Sequence, residues 1–174
     1  MIFVFIDYIY SKIDILMINM YLDEVQTGIY FLALMVSSTF FILPSVVQTV
    51  LYPKLNTISG NGVLYFFKAS RIIAFIMFIL VLLTVLFADY IVLVLGGKES
   101  VTILRILLLS TLFMIPSIIM SPLWVKNNYF KHLNFIAVSS VFVAILLNII
   151  FIPRYGIIGA AISTLFVYVY LFIF

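Results

Sequence analysis

Ser11-Lys12-Ile13-Asp14 interrupts a run from Ile2 to Tyr21 that is otherwise mostly Ile, Phe, Met, Leu and Tyr, and Asp7 lies in the same run. A charge at bilayer depth costs roughly 2.5–3.5 kcal/mol on insertion scales. A helix holding three charged residues is therefore expected to turn part of its surface towards protein or water rather than lipid. At helical spacing Asp7, Ser11 or Tyr10, Asp14, Ile18 and Tyr21 fall on one side, and Tyr8, Lys12, Asn19 and Asp23 on another. Lys12 and Asp14 are two residues apart, so they face away from each other and cannot pair within the helix. Each then needs water or a partner from another helix. The alternative is that these side chains lie near a helix end and reach the headgroups.

Outward from that stretch the chain stays apolar. Its 174 residues are 67% hydrophobic and 9% charged, with a mean hydropathy of +1.38. A soluble domain carries about a quarter charged residues, so the composition is that of an all-α polytopic membrane protein. A hydrocarbon core of about 30 Å takes about 20 apolar residues per span, which leaves room for about six helices and none for a soluble catalytic domain. The expected spans are 2–21, 28–52, 72–95, 101–125, 133–152 and 156–174. Met1 to Tyr10 has no basic residue ahead of its apolar run and no small-residue cleavage site after it, so it does not read as a signal peptide. Both ends lie inside apolar runs, as expected of a piece of a longer polypeptide.

Several features mark the later spans. Ser38, Phe41, Ser45, Gln48 and Tyr52 recur at three- and four-residue steps beside Pro44, a pattern that fits either a helix lining a wet cavity or plain packing through small hydroxyl residues. Pro53 to Arg71 is the longest polar interval, with a turn at Ser59-Gly60-Asn61-Gly62 and a short interfacial helix expected over Val63 to Ser70. Pro116 and Pro122 interrupt the fourth span, Asn148 is the one strongly polar residue of the fifth, and Pro153-Arg154-Tyr155 makes a tight turn before the sixth. Gly156 and Ala160, Gly159 and Ser163, and Ala160 and Thr164 are small residues four apart, a surface for close helix approach. If the loops alternate sides, Lys54, Lys68, Arg71, Lys126 and Lys131 share the side of Met1, against Lys98, Arg105 and Arg154 opposite. The positive-inside rule then places both ends in the cytoplasm.

Much chemistry is absent from the sequence. There is no cysteine, hence no disulfide or thiol chemistry. The single histidine, His132, lies in a basic turn; no phosphate-binding glycine loop and no metal-ligand spacing occurs. No enzyme activity, no cofactor and no nucleic-acid partner is expected. Movement of a cargo would draw on an ion gradient, a membrane potential or the cargo's own gradient.

With these residues laid out, the chain resembles the second half of the bacterial polysaccharide flippases of the multidrug/oligosaccharidyl-lipid/polysaccharide exporter superfamily. The likeness rests on Lys12-Ile13-Asp14 and Gly28-Ile29-Tyr30, on Pro53-Lys54-Leu55, and on Pro153 followed by Gly156-Ile157-Ile158-Gly159-Ala160-Ala161 and Ser163-Thr164. It departs from the family pattern at Lys12, where an arginine is more usual. The resemblance implies one six-helix lobe of a two-lobe fold in the bacterial inner membrane. It implies flipping of an undecaprenyl-diphosphate-linked oligosaccharide for O-antigen or other surface polysaccharide, with membrane lipid around it. A second six-helix lobe, either a missing N-terminal half or another copy, would complete the cavity. Lys12 is then the cavity cation and Asp14 its network partner or part of ion coupling, with Gln48 a further candidate for binding cargo. The alternatives are another exporter of the superfamily (a drug or cation antiporter, or a lipid II flippase) and a non-transporting membrane scaffold or remnant.

Overall fold

The structure is a computed structural model and describes residues 2–57, 62–94 and 100–174. Regular structure among the described residues is entirely helical. The Ser59-Gly60-Asn61 part of the expected turn lies outside the described residues, as do Lys98 and the side chains of Asp7, Ser11 and Lys54.

Helix α1 spans Ile2–Tyr21, the whole first apolar run. Helix α2 spans Glu24–Ser38 and starts four residues before the expected boundary at Gly28. The reason is local. The Asp23 carboxylate accepts the Gln26 N–H at 2.7 Å, capping the helix, and Glu24 places a second negative charge at the positive end of the helix dipole. Gly28-Ile29-Tyr30 therefore lies inside the helix rather than at its start. A 3-10 turn at Thr39–Phe41 separates α2 from α3, Ile42–Thr57. Pro44, just downstream, has no N–H to give the Phe40 carbonyl, and its ring crowds that carbonyl. The two helices and the turn form one apolar pass over Glu24–Pro53.

The polar stripe expected along this pass is largely satisfied within its own chain segment. Ser38 donates to the Met35 carbonyl at 2.9 Å and Ser45 to the Ile42 carbonyl at 2.8 Å. These hydroxyls need no wet cavity, and Gln48 alone of the polar residues named there makes a hydrogen bond to another helix.

Helix α4 runs over Gly62–Leu86 without a break at the expected boundary of Ile72. Neither Lys68 nor Arg71 ends a helix, since both are good helix formers with long stems that reach outwards. After Phe87 a short helix α5, Ala88–Val94, follows. Helix α6 is Val101–Lys126, with Pro116 and Pro122 inside it.

The last helical run, α7, covers Phe130–Ile173. Straight, its 44 residues would reach about 66 Å, over twice the hydrocarbon thickness. It is instead bent back on itself at Gly156, whose φ of 60° and ψ of −141° leave helical geometry and suit a residue without Cβ. Phe151 stacks on Phe166 with ring centroids 6.1 Å apart, and the Ser139 and Tyr170 hydroxyls lie 2.7 Å apart. The limbs 130–155 and 157–173 are thus antiparallel neighbours. Four helical runs among the described residues, Glu24–Pro53, Val63–Leu86, Val101–Lys126 and the bent Phe130–Ile173, are long and apolar enough to cross a membrane, as in an all-α polytopic membrane protein.

Helix α6 lies at the centre, packed against α2, α3, α4, α5 and α7. Its Leu104, Leu107, Leu108 and Ile115 are buried with Ile18, Tyr30, Met77 and Val81 in one core. Outward, Phe75, Phe78 and Leu82 of α4 are exposed, as suits a surface whose solvent is hydrocarbon. The two ends of the bundle differ in charge. Lys126 donates to the Leu55 carbonyl at 2.8 Å, joining the ends of α3 and α6 at the end that also carries Lys68, Arg71 and Lys131. At the other end Ser100 donates to the Ile29 carbonyl at 3.1 Å, and Arg105 pairs with Asp89 at 2.8 Å. That pair is exposed and adds little stability.

Candidate functional site: a carboxylate held by three neutral donors

Asp14 projects from α1 into the junction with α2 and both limbs of α7. Its Oδ1 accepts the Asn148 amide at 2.6 Å. Its Oδ2 accepts the Thr164 hydroxyl at 2.8 Å and the Tyr30 hydroxyl at 3.2 Å. The two hydroxyls are 3.2 Å from each other. Tyr30, Asn148 and Thr164 are all buried, so the carboxylate of α1 meets α2 and both limbs of α7, and no cation among the described residues pairs with it. The close fit depends on the second limb of α7, whose Gly159, Ala160 and Ser163 are buried against their neighbours.

One polar atom of the cluster is left over. The Asn148 Oδ1 is buried and has no hydrogen-bond partner. Leaving a buried acceptor unmade costs about 1–3 kcal/mol, which a bound cation or proton donor would relieve. The atoms gathered here are a carboxylate, an amide oxygen and two hydroxyls, all hard oxygen donors. With one negative charge the set suits a proton or a monovalent cation better than a divalent ion. Among the described residues there is no group of three or more His, Cys, Asp or Glu residues that would hold a metal.

Lys12 does not join the cluster around Asp14. Its Nζ lies 5.8 Å from the centroid of the Phe31 ring, a weak cation–π contact, and it forms no ion pair with Asp14. Gln48 is elsewhere. Its amide donates to the Ser121 hydroxyl at 2.7 Å, in the packing between α3 and α6, and none of its described hydrogen bonds reaches Lys12 or Asp14. Interhelical bonds of this kind average about 0.6 kcal/mol in membrane proteins. Gln48→Leu should therefore lower unfolding free energy in detergent by under about 1 kcal/mol and leave export intact. Loss of export at normal abundance would instead make Gln48 a cargo contact.

Sequence reasoning did not place Tyr30, Asn148 and Thr164 at the site. Each was visible as part of a pattern: Tyr30 in the Gly-Ile-Tyr element, Asn148 as the lone polar residue of its span, Thr164 in the small-residue stripe. Their convergence on Asp14 is a tertiary fact.

The sequence model of a family described as polysaccharide biosynthesis protein matches residues 1–99, more than half of the chain. The matched part carries Lys12, Asp14, Tyr30 and Gln48, while Asn148 and Thr164 lie beyond it. Comparisons with curated proteins and with solved structures find no match.

Proposed function

From the premise that this chain belongs to the polysaccharide biosynthesis protein family, we propose that it flips a lipid-linked oligosaccharide across the bacterial inner membrane, as one lobe of an ion-coupled transporter. The observation that carries this reading is the Asp14 cluster. A half-buried carboxylate held by neutral donors, beside an orphan amide oxygen, is a site whose occupancy by a proton or monovalent cation changes local charge by one unit. The helices that supply it are α1, α2 and both limbs of α7, so a change there bears on how these helices pack. Intramembrane ionisable residues mark ion and substrate paths in transporters.

Lys12 has the second role. It is the one cation of α1, without an ion pair among the described residues, and its ammonium would meet the diphosphate or an acidic sugar of an undecaprenyl-diphosphate-linked oligosaccharide as a point charge. The lipid tail would stay in the bilayer. Alternating access takes two repeats moving against each other, so a second six-helix unit is the required partner. The chain acts as a transporter and not as an enzyme in this scheme, and the lysine-rich end of the bundle faces the cytoplasm.

The test is surface polysaccharide in cells whose working copy carries Lys12→Ala. Export should fall at least about tenfold, the loss of one charge-assisted contact of about 1.4 kcal/mol, with the variant present in the membrane at wild-type abundance. Lys12→Arg should retain export. Full export by Lys12→Ala would remove the cargo role. A cation antiporter using only Asp14 would show that outcome while still exchanging ions.

A further inference from the structure

Among the described residues two buried side-chain atoms lack a hydrogen-bond partner. One is the Asn148 Oδ1 and the other is the Ser70 Oγ. The second lies outside the helices that hold Asp14, in a cavity of about 290 Å³ between α4 and α6 lined by Phe67, Ser70, Arg71, Ala74, Pro116, Ile119 and Met120. Ser70 breaks a pattern. The serines of α6 and α7 (Ser110, Ser117, Ser121, Ser139, Ser140 and Ser163) all donate to a carbonyl three or four residues earlier. That back-bond is the ordinary resting place of a helical hydroxyl. The Ser70 hydroxyl does not take it, although it is 1% exposed.

Arg71 stands beside it at the rim. It is exposed and takes part in none of the described hydrogen bonds or ion pairs. Phe67 and Phe75, one turn to either side on the same face, are also exposed. So Arg71 interrupts an apolar stripe that faces the bilayer. From Arg71 to the end of α4 the chain is apolar except for Thr84, while on its other side come Lys68 and the polar Ser59–Asn61 stretch. That places the guanidinium at the boundary between hydrocarbon and headgroups. The lysine-rich end around it holds Lys68, Lys126 and Lys131, and no Asp or Glu occurs in 52–88 or 100–174.

We propose that this α4–α6 groove binds the phosphate of an anionic bilayer glycerophospholipid, with the Arg71 guanidinium at the rim and the Ser70 hydroxyl donating from the floor. The donors and the walls divide the ligand between them. Guanidinium and hydroxyl match phosphate oxygens, and Phe67, Ala74, Ile119 and Met120 match the glycerol and the first acyl methylenes. A free phosphate would use the donors and leave those walls without a partner. The proposal stands apart from the cargo reading, because neither residue belongs to the Asp14 cluster.

The test is lipid retention by the protein extracted from bilayers of equal phosphatidylglycerol and phosphatidylcholine, read by native mass spectrometry. Phosphatidylglycerol should be retained about tenfold over phosphatidylcholine, and Arg71→Gln should remove that preference, as expected for one charge-assisted contact. Ser70→Ala should weaken it several-fold, Arg71→Lys should keep part of it, and Lys131→Gln, a charge change at the same end but outside the groove, should keep all of it. Equal retention of the two lipids, or a preference unchanged in Arg71→Gln, would overturn the proposal. Equal loss in Lys131→Gln would do the same by reducing the effect to general charge. Displacement of the lipid by inorganic phosphate alone would reassign the groove to a free anion. None of these outcomes depends on whether oligosaccharide is exported.

Discussion

Asp14→Asn is expected to leave the protein in the membrane at its normal abundance and to remove most of the export driven by an ion gradient. The substitution keeps the shape of the side chain. An asparagine oxygen still accepts the Asn148 amide that now sits 2.6 Å from Oδ1, and Tyr30 and Thr164, already 3.2 Å apart, can bond to each other. Only the charge is lost. Asp14→Ala differs, because it strands the buried Asn148 amide. It should cost about 2 kcal/mol of stability, within the 1–3 kcal/mol range for an orphaned buried polar group, and should lose export too. The pair separates the two functions of the residue. Thermal unfolding in detergent reads the structural part, and surface polysaccharide measured with and without a collapsed gradient reads the coupling part. If Asp14→Asn exports like wild type with the gradient intact, the cluster is a packing device and coupling lies elsewhere.

How much of this was legible in the sequence can be judged residue by residue. That Lys12 and Asp14 do not pair follows from helical period alone, and they form no ion pair with each other, Lys12 lying over Phe31 instead. The reversal near Gly156 was announced by Pro153-Arg154-Tyr155, because a proline and a glycine within four residues at the end of a long apolar run mark a turn. The start of α4 was not legible. Lys68 and Arg71 resemble loop residues by charge, yet their long stems let them stay helical and still reach the headgroups. Gln48 was drawn into a cavity by the stripe of hydroxyls around it, but hydroxyls on a helix are satisfied by their own backbone, so a hydroxyl stripe says little about water. Asn148 stood out by itself. Which helix its amide would meet depends on the rotation of the limb about its axis, and that rotation is set by contacts 134 residues apart in the chain.

Gly159→Ala is expected to be the most damaging single change in the second limb of α7. A Cβ built on Gly159 would fall on the carbonyl oxygen of Phe151 and lie 2.6 Å from its carbonyl carbon and 3.1 Å from the Ile152 nitrogen. These are backbone atoms of the other limb, so no side-chain rotation relieves the overlap. The limbs must part next to the Gly156 bend, where they are held closest. Overpacking of this kind costs about 3 kcal/mol. The strain also travels to the site. Asn148 lies three residues before Phe151 on one limb and Thr164 five residues after Gly159 on the other, and both bond to Asp14. Parting the limbs therefore pulls two of the three donors away from the carboxylate. Gly28→Ala is the control of opposite sign. Gly28 is helical and a Cβ there meets nothing within 4 Å, so alanine should raise stability by about 0.5–1 kcal/mol. Unfolding of both variants in the same detergent decides the matter. A Gly159→Ala protein that melts with wild type would mean that the limbs already stand further apart than the Phe151–Phe166 stack at 6.1 Å allows. The tight hairpin would then no longer explain how Thr164 reaches Asp14.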